Sequence, residues 1–252
     1  MDPHDDLLDL LHRTADAVAA ALADHRDWGP SGARAGQYAS DVVADAAAGA
    51  VLDGAGVAVL SEESGNRGGD GVVVVVDPLD GSTNASRGIP WYATSLCAVR
   101  DGQALAAVVN HLVSGVRWEA SAGGGARCDG RPIAPSGVRE VRRAMVGLSG
   151  FPDRWLGWRQ YRALGAAALD LCCVADGTLD GYVDCSWNAH GPWDYLGGML
   201  VCQEAGAHVA DAEGRDLVVV GHDDRRTPVA AATPELLAAL LEARATQPPA
   251  PR

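Results

Sequence analysis

The stretch "VVVVVDPLDGSTN" (residues 72–84) joins five consecutive valines to a short, strongly polar segment. The valine run predicts a buried strand. Two carboxylates follow it as Asp77-x-x-Asp80; Pro78 stiffens the link between them, and Gly81 permits a tight turn just after them. One aspartate after a strand is readily explained as a helix cap, but two at this spacing predict a site that binds cations.

A second acidic cluster follows another short apolar run, "VAVL" (57–60), and consists of Glu62 and Glu63. Carboxylates at adjacent strand ends repel each other unless a cation lies between them. The nearby ligands are all oxygens, without His or Cys, which favours a hard ion such as magnesium. Either cluster alone is equally well explained as a cap or a solvated surface, whereas the two together favour a metal site.

The polar segment also offers groups that bind phosphate. Ser82 and Thr83 supply hydroxyls and backbone N–H groups at a point where a helix can begin, and a helix N-terminus is a good place for a phosphate oxygen. Metal carboxylates and phosphate donors therefore fall within one short segment. This combination indicates phosphate-ester chemistry.

The composition narrows the class of protein. The chain has 252 residues, a net charge of −13 and 48% hydrophobic residues, which is typical of a soluble globular protein. The negative charge argues against binding nucleic acid or an anionic membrane. No apolar run approaches the roughly 20 residues that cross a bilayer, and the acidic N-terminus is unlike a signal peptide, so we expect a cytoplasmic protein. All 20 basic residues are arginine, which excludes Schiff-base chemistry and a P-loop lysine.

The first half of the chain reads as α+β. Hydrophobic periodicity predicts helices over about residues 5–25 and 41–54. Asp101-Gly102 lies between two apolar runs and predicts a β-hairpin. We therefore expect residues 1–140 to form an N-terminal half that carries the metal-binding motifs.

The second half, residues 141–246, reads as α/β because predicted strands alternate with helices. Its last strands are expected at 216–221 and 228–232, before a helix capped by Thr233. Residues 247–252 are expected to form a disordered tail. The six cysteines lack metal-binding spacing and are expected to be reduced, mostly as core residues. We expect the two halves to meet at a shared site.

Three motifs in order carry a family resemblance: "SEESG" (61–65), "DPLDGSTN" (77–84) and "GPWDYLGGMLVCQEAGA" (191–207). They resemble the inositol monophosphatase family of magnesium-dependent, lithium-sensitive phosphatases, and the resemblance extends over about residues 38–232. It implies a layered α/β/α/β/α sandwich, usually a homodimer. It also implies a phosphomonoesterase whose partner is a small-molecule phosphate ester, most of all an inositol monophosphate.

The resemblance assigns the metal ligands. The carboxylates of Glu62, Asp77, Asp80 and Asp194 correspond to those that bind Mg²⁺ in the family, with two or three ions in all, and Leu79 would add its backbone carbonyl. Asp77 would bridge two ions, and Asp194 would hold the second of them from the start of its helix. Taken alone, Asp194 is equally well explained as a helix cap.

The resemblance also assigns the catalytic roles. Glu62 and the Ser82 hydroxyl would position and activate the attacking water beside one ion, with Asp77 as a shared ligand. The N–H groups of Gly81, Ser82 and Thr83 would hold the phosphate. The second ion would stabilise the departing alkoxide, so that no covalent phosphoenzyme is needed.

Substrate contacts are assigned to Asp80, Asp184 and Asp194, with Asp184 on the strand before the tryptophan–aspartate motif. The following segment also places Trp187, Asn188 and His190 near the mouth. Trp187 could stack on a sugar or cyclitol ring but is at least as well explained as a core residue. His190 is better explained as a structural histidine than as a catalyst.

The early segment matches the family least. A loop lysine and an aspartate often serve a third metal ion there. This chain has no lysine, and whether Arg34 replaces it stays open. The aspartate would be Asp45 or, second, Asp41, and both are equally well explained as part of a solvated helix face.

Several alternatives stay open. Within the same superfamily, histidinol phosphate or 3′-phosphoadenosine 5′-phosphate could be the substrate. Fructose 1,6-bisphosphatase of the longer type fits less well, because the chain is short and lacks a lysine for the second phosphate. A non-catalytic protein that binds polyol phosphates is a further alternative, which the complete set of carboxylates and the Ser82 hydroxyl disfavours.

Overall fold

The computed structural model describes residues 3–68 and 71–247. Its helices are α1 (Pro3–Ala23), α2 (Ala39–Ala55), α3 (Ser82–Ser86), α4 (Ala167–Ala175), α5 (Pro192–Ala205) and α6 (Pro234–Ala245). Its strands are β1 (Ala58–Ser61), β2 (Gly65–Arg67), β3 (Val73–Asp80), β4 (Ala93–Arg100), β5 (Gln103–His111), β6 (Arg117–Ser121), β7 (Gly125–Cys128), β8 (Arg131–Pro132), β9 (Met145–Ser149), β10 (Gln160–Arg162), β11 (Gly181–Asp184), β12 (His208–Asp211) and β13 (Pro228–Ala231). Among the described residues, no helix combines the length and the apolar character that crossing a membrane requires.

The first sheet has eight strands in the order β2-β1-β3-β4-β5-β6-β7-β8. Only the β1–β3 pair is parallel, so these two strands end at the same edge of the sheet. The predicted hairpin is confirmed between β4 and β5. Its turn residues, Asp101 and Gly102, both have positive φ (52° and 72°), the geometry that an Asp-Gly pair adopts most readily.

The valine strand is buried on both faces. Val74 and Val76 pack into the core beneath α1 and α2, whereas Val75 packs on the opposite face with α4 and α5. Burial of each valine contributes about 1.5–3 kcal/mol to folding. A continuous apolar run is therefore needed here, because alternating polar residues would place side chains in one of two dry layers.

The second sheet has five strands in the order β10-β9-β11-β13-β12. Tyr182 and Ala230 on one face join the core formed by α4 and α5, and Val183 and Val229 on the other face pack with α6. Helices α1 and α2, the first sheet, helices α4 and α5, the second sheet and helix α6 thus form five layers. This arrangement confirms the α/β/α/β/α sandwich implied by the family resemblance.

One predicted strand is wrong. Residues 216–221 form no strand, and β13 pairs with β11 and β12. The reason lies in the carbonyl groups of this apolar segment. The Tyr195 hydroxyl donates to the Leu217 carbonyl at 2.8 Å and the Arg226 Nε donates to the Asp216 carbonyl at 2.7 Å, so side chains occupy acceptors that a sheet would use.

Gln247, the first residue of the expected tail, packs against the fold. This residue is buried, and its side-chain carbonyl accepts a hydrogen bond from the Asp153 N–H at 2.9 Å. The rest of the predicted tail, 248–252, lies outside the described residues. The predicted N-cap is confirmed, since the Thr233 hydroxyl accepts from the Leu236 N–H at 3.2 Å. All six cysteines are free thiols.

Candidate functional site

The two acidic clusters meet at one edge of the first sheet. Strand β1 pairs in parallel with β3, so Glu62, just after β1, lies beside Asp77 near the end of β3. The Glu62 N–H donates to the Val76 carbonyl at 3.1 Å and extends this pairing by one residue. The expectation that the two apolar runs end side by side is therefore correct.

A break in strand pairing shapes the end of β3. The register between β3 and β4 shifts between Asp77 and Asp80, around Pro78, which has no N–H to donate. The Thr94 hydroxyl binds the Pro78 carbonyl at 3.0 Å, and the Asp77 carboxylate accepts from the Leu79 N–H at 3.0 Å. This local geometry places both carboxylates in the same site.

Asp194 reaches the same point from α5. One carboxylate oxygen from each of Asp77, Asp80 and Asp194 lies within 4.8 Å of the others, which is close enough to share a metal ion. Asp194 also accepts from the Gly191 N–H at 2.7 Å, and Asp80 accepts from the Ala168 N–H at 2.8 Å in the first turn of α4. Both residues are thus helix caps as well as members of the cluster, so these two explanations are compatible.

The electrostatics of the cluster favour a cation. Burial, and then repulsion between neighbouring carboxylates, raises the pKa of Glu62 to about 8 and that of Asp77 well above its ordinary value. Burial and the charge of Asp194 raise the pKa of Asp80 to about 7, and burial raises the pKa of Asp194 as well. None of the four forms a salt bridge within the described part of the chain. An all-oxygen donor set of this kind fits Mg²⁺.

Gly81 begins the turn beside the cluster. Its φ is 87°, and a Cβ at this position would lie 2.9 Å from the Trp91 carbonyl oxygen, so no larger residue fits without movement. Helix α3 begins at Ser82, as the sequence predicts for a phosphate site. The Asn84 side chain fixes the turn by donating to the carbonyls of Trp91 and Leu164, each at 2.8 Å.

Thr83 and the start of α2 contact each other. The hydroxyls of Thr83 and Tyr38 are 3.3 Å apart, and hydrogen bonds to Ser86 and Thr83 lower the pKa of Tyr38. Asp41 lies one turn into α2 and accepts from the Tyr38 N–H at 2.8 Å. Burial raises the pKa of Asp41 to about 6, and its second oxygen is buried without a hydrogen-bond partner in the described chain.

Asp45 is engaged elsewhere. Its carboxylate accepts from the hydroxyls of Ser61 and Ser64, at 2.5 and 3.1 Å. Neither Asp45 nor Asp41 belongs to the three-carboxylate group, which is the only such group found in the described residues. The assignment of either residue to a third ion stays a prediction.

The two adjacent glutamates have different surroundings. Glu63 is paired with the Arg34 guanidinium at 2.6 Å and accepts a further hydrogen bond from the Gln37 amide. Glu62 has no such cation beside it. Arg34 therefore neutralises Glu63, which leaves Glu62 as the glutamate available to a metal ion.

Asp184 has hydrogen-bond partners within the protein. It is fully buried, and its carboxylate is occupied by the Ser186 N–H at 2.8 Å and by the His190 Nδ1 at 2.9 Å. Burial alone would lower the pKa of His190, but the hydrogen bond to Asp184 and the surrounding carboxylates outweigh it and raise the pKa to about 9. Direct contact of Asp184 with a substrate would require this pair to open.

A cavity of about 130 Å³ adjoins the cluster. Asp80, Asp194, His190 and Tyr182 line it, together with Asp170. Asp184 does not line it. A larger open groove of about 730 Å³ lies beside the C-terminal end of α5 and β12, and none of the four predicted metal ligands lines it.

Asp170 was missed by the sequence analysis. It is buried within α4, where its carboxylate accepts from the Trp91 indole N–H at 3.0 Å, and burial raises its pKa well above the ordinary value. In the sequence, Asp170 stands out as the one charged residue in the otherwise apolar run "AALDLCCVA" (167–175). Trp187 is half-buried and stacks on Arg244, and Asn188 has φ 50° in the exposed part of the same loop.

The layered fold and the buried acidic cluster together describe an α/β protein with a candidate metal site. A model of the "Inositol monophosphatase family" matches residues 39–248. The chain is 34% identical over 209 residues to a fructose-1,6-bisphosphatase/inositol-1-monophosphatase of Archaeoglobus fulgidus, covering 81% of this chain and 82% of that protein. It is also 34% identical over 201 residues to a putative Nus factor SuhB of Neisseria meningitidis serogroup B, covering 73% of this chain and 74% of that one.

Solved structures agree with the sequence matches. The extragenic suppressor protein suhB from Bartonella henselae superposes with a TM-score of 0.82 at 26% identity, over 96% of this chain and 99% of that one. The chain belongs to the inositol monophosphatase family.

Proposed function

We propose that this protein is a Mg²⁺-dependent phosphomonoesterase that hydrolyses a small polyol phosphate, foremost an inositol monophosphate. The observation that carries the proposal is the group of buried carboxylates of Asp77, Asp80 and Asp194, with Glu62 beside it and the start of α3 next to it. Buried acids without internal cations are costly unless a ligand neutralises them. Membership of a family of metal-dependent phosphatases supports the same conclusion.

The metal ions would be held by Glu62, Asp77, Asp80 and Asp194, with the backbone carbonyl of Leu79 as a further ligand. Bound Mg²⁺ supplies positive charge and Lewis-acid polarisation at the phosphate. Two ions account for the four carboxylates. A third would draw on α2, where Asp45 already accepts two hydroxyl hydrogen bonds.

The protein's own groups would activate the water, hold the phosphate and face the alcohol portion of the ester. Glu62 would help to position and activate the attacking water, and the Ser82 hydroxyl would orient that water. The N–H groups of Gly81, Ser82 and Thr83 would hold the phosphate oxygens at the start of α3. Asp80 and Asp194 would also face the alcohol portion of the ester, since both line the adjoining cavity.

A second substrate is favoured by the relatives. Proteins of Archaeoglobus fulgidus and Thermococcus kodakarensis, 34% and 36% identical, are both named fructose-1,6-bisphosphatase/inositol-1-monophosphatase. Fructose 1,6-bisphosphate therefore joins histidinol phosphate and 3′-phosphoadenosine 5′-phosphate as an alternative. We further propose that the protein is a cytoplasmic, lithium-sensitive homodimer that binds no nucleic acid. These points rest on the family resemblance and the acidic composition.

The test is phosphate release with Mg²⁺ from inositol 1-phosphate, fructose 1,6-bisphosphate, histidinol phosphate, 3′-phosphoadenosine 5′-phosphate and glycerol 2-phosphate. Each assay is run with and without chelator and with and without lithium. We expect chelator-sensitive turnover with a clear preference for inositol 1-phosphate. Binding of these esters without any turnover would instead support the non-catalytic alternative.

A further inference from the structure

The loop between β11 and α5, residues 185–191, brings His190 to the site. His190 lines the 130 Å³ cavity together with Asp80 and Asp194. Its ring is held from behind by Asp184, at 2.9 Å from Nδ1, and its Nε2 lies 3.3 Å from the Tyr182 hydroxyl. The position of this β11–α5 loop therefore decides where the His190 ring stands relative to the carboxylate cluster.

Arg244 lies in the last turn of α6, the outermost helical layer on this side of the fold, and binds the residues that lead into this loop. Its Nε donates to the Asp184 carbonyl and its Nη2 to the Ser186 carbonyl, both at 2.6 Å. The guanidinium carbon lies 4.2 Å from the centre of the Trp187 ring, within cation–π distance. The Arg244 side chain thus contacts three of the four residues 184–187, where β11 leads into the loop.

This arrangement is specific to arginine. A planar fork can bind two carbonyls and stack on an indole at the same time, whereas the single ammonium of lysine cannot. Arg244 is only 1% exposed, forms no salt bridge within the described chain, and has a buried Nη1 for which the described residues offer no acceptor. Burying a cation without a carboxylate partner is unfavourable, so packing stability alone does not explain the residue.

We propose that Arg244 is a positioning residue that fixes the β11–α5 loop and thereby the position of His190. His190 in turn forms the wall of the cavity that faces the alcohol portion of the phosphate ester. This inference rests on the proposed function. Arg244 lies in a different layer from the motif carboxylates and contacts none of them. Its loss should therefore weaken recognition of the alcohol portion while leaving the handling of the phosphate group largely intact.

The first experiment compares two esters in R244K. We expect kcat/KM for inositol 1-phosphate to fall about tenfold to a hundredfold relative to kcat/KM for p-nitrophenyl phosphate, mainly through KM, because small displacements near a site have effects of this size. R215K is the matched control, since Arg215 makes a comparable two-point contact, with Asp211 at 2.7 and 2.9 Å, beside the larger groove. An equal loss for both esters in R244K would overturn the inference.

The second experiment needs no activity. Amide hydrogen exchange is followed in the wild type, R244K and R215K, and we expect faster exchange of Ser186, Asn188 and His190 in R244K alone. If R244K folds poorly, W187L replaces it as the test, and W187F, which keeps an aromatic face for Arg244, should restore both slow exchange and ester preference. Loosening of the loop without a change in ester preference would show a merely structural role and overturn the inference.

Failure of the proposed function and failure of the proposed role of Arg244 give different results. A wild-type protein that releases phosphate from neither ester contradicts the proposed function. A wild-type protein that is active, with an R244K loop as protected as before, contradicts only the role of Arg244.

Discussion

Strands β3 and β11 are both buried, and both run into aspartates, yet the surroundings of these acids differ. Asp77 and Asp80, in the last half of β3, are close to a third carboxylate and form no salt bridge in the described chain. Asp184, the last residue of β11, is paired with His190 and accepts a backbone N–H. Asp184 has an ion-pair partner within the protein, whereas a cluster of buried acids without such a partner is a candidate site for a cation.

The strongest test of this comparison is Asp77→Asn. We expect phosphate release to fall about a thousandfold or more, because charge stabilisation by bound metal is worth several kcal/mol and about 1.4 kcal/mol corresponds to a factor of ten. The unfolding midpoint in chelator should not fall, because the substitution removes repulsion while its amide oxygen can still accept from Leu79. The measurements are phosphate release and thermal unfolding. Wild-type turnover in this variant would show that the metal assignment is wrong.

Asp184→Asn should reduce stability more than activity, the reverse of what we expect for Asp77→Asn. Breaking the buried pair with His190 should lower the free energy of unfolding by about 3 kcal/mol, as measured by urea denaturation. Turnover of the remaining folded protein should fall much less than in Asp77→Asn. If stability is unchanged and turnover is abolished, the two aspartates do not differ in the way proposed.

Gly81→Ala tests how rigidly the turn after β3 is defined. We expect a loss of about 2 kcal/mol in the free energy of unfolding, because the positive φ is unfavourable for alanine and the new Cβ would crowd the Trp91 carbonyl. Gly88→Ala is the matched control, since Gly88 has φ 71° but nothing within 4 Å of the added Cβ. It should lose less stability, and only Gly81→Ala should lose phosphate release. Equal effects in both variants would argue against close packing at Gly81.

Metal-free stability should also depend on pH. The folded-state pKa values of Glu62 and Asp80, about 8 and 7, lie above their unfolded values near 4, and that of His190 is also raised, to about 9. The folded protein therefore retains protons that the unfolded chain releases, so stability in chelator should fall as pH rises from about 5 to 9. Added Mg²⁺ should reverse this trend, because it binds the deprotonated carboxylates. Thermal unfolding in chelator that is flat over this range would contradict the raised pKa values.

Much of the fold could be predicted from the sequence. The valine run, the Asp-Gly hairpin and the helices near α1, α2 and α5 follow from local periodicity and turn chemistry, which depend on neighbours in the chain. The strand predicted at 216–221 is wrong because side chains distant in sequence, Tyr195 and Arg226, bind its carbonyls. Local pattern carries no information about such partners.

The sequence by itself determined the donor chemistry of the candidate site: oxygen donors only, two acidic clusters behind apolar strands, and a turn that leads into a short helix. Tertiary structure decided which acids remain unneutralised. Glu62 and Glu63 are equivalent in the sequence, but only Glu63 receives the Arg34 guanidinium. Asp184 is paired with His190, and Asp170 lines the adjoining cavity although the sequence predicts no role for it. The physical reason is that a carboxylate's pKa and availability depend on burial and on charges within a few ångströms, and folding brings those charges together from distant parts of the chain.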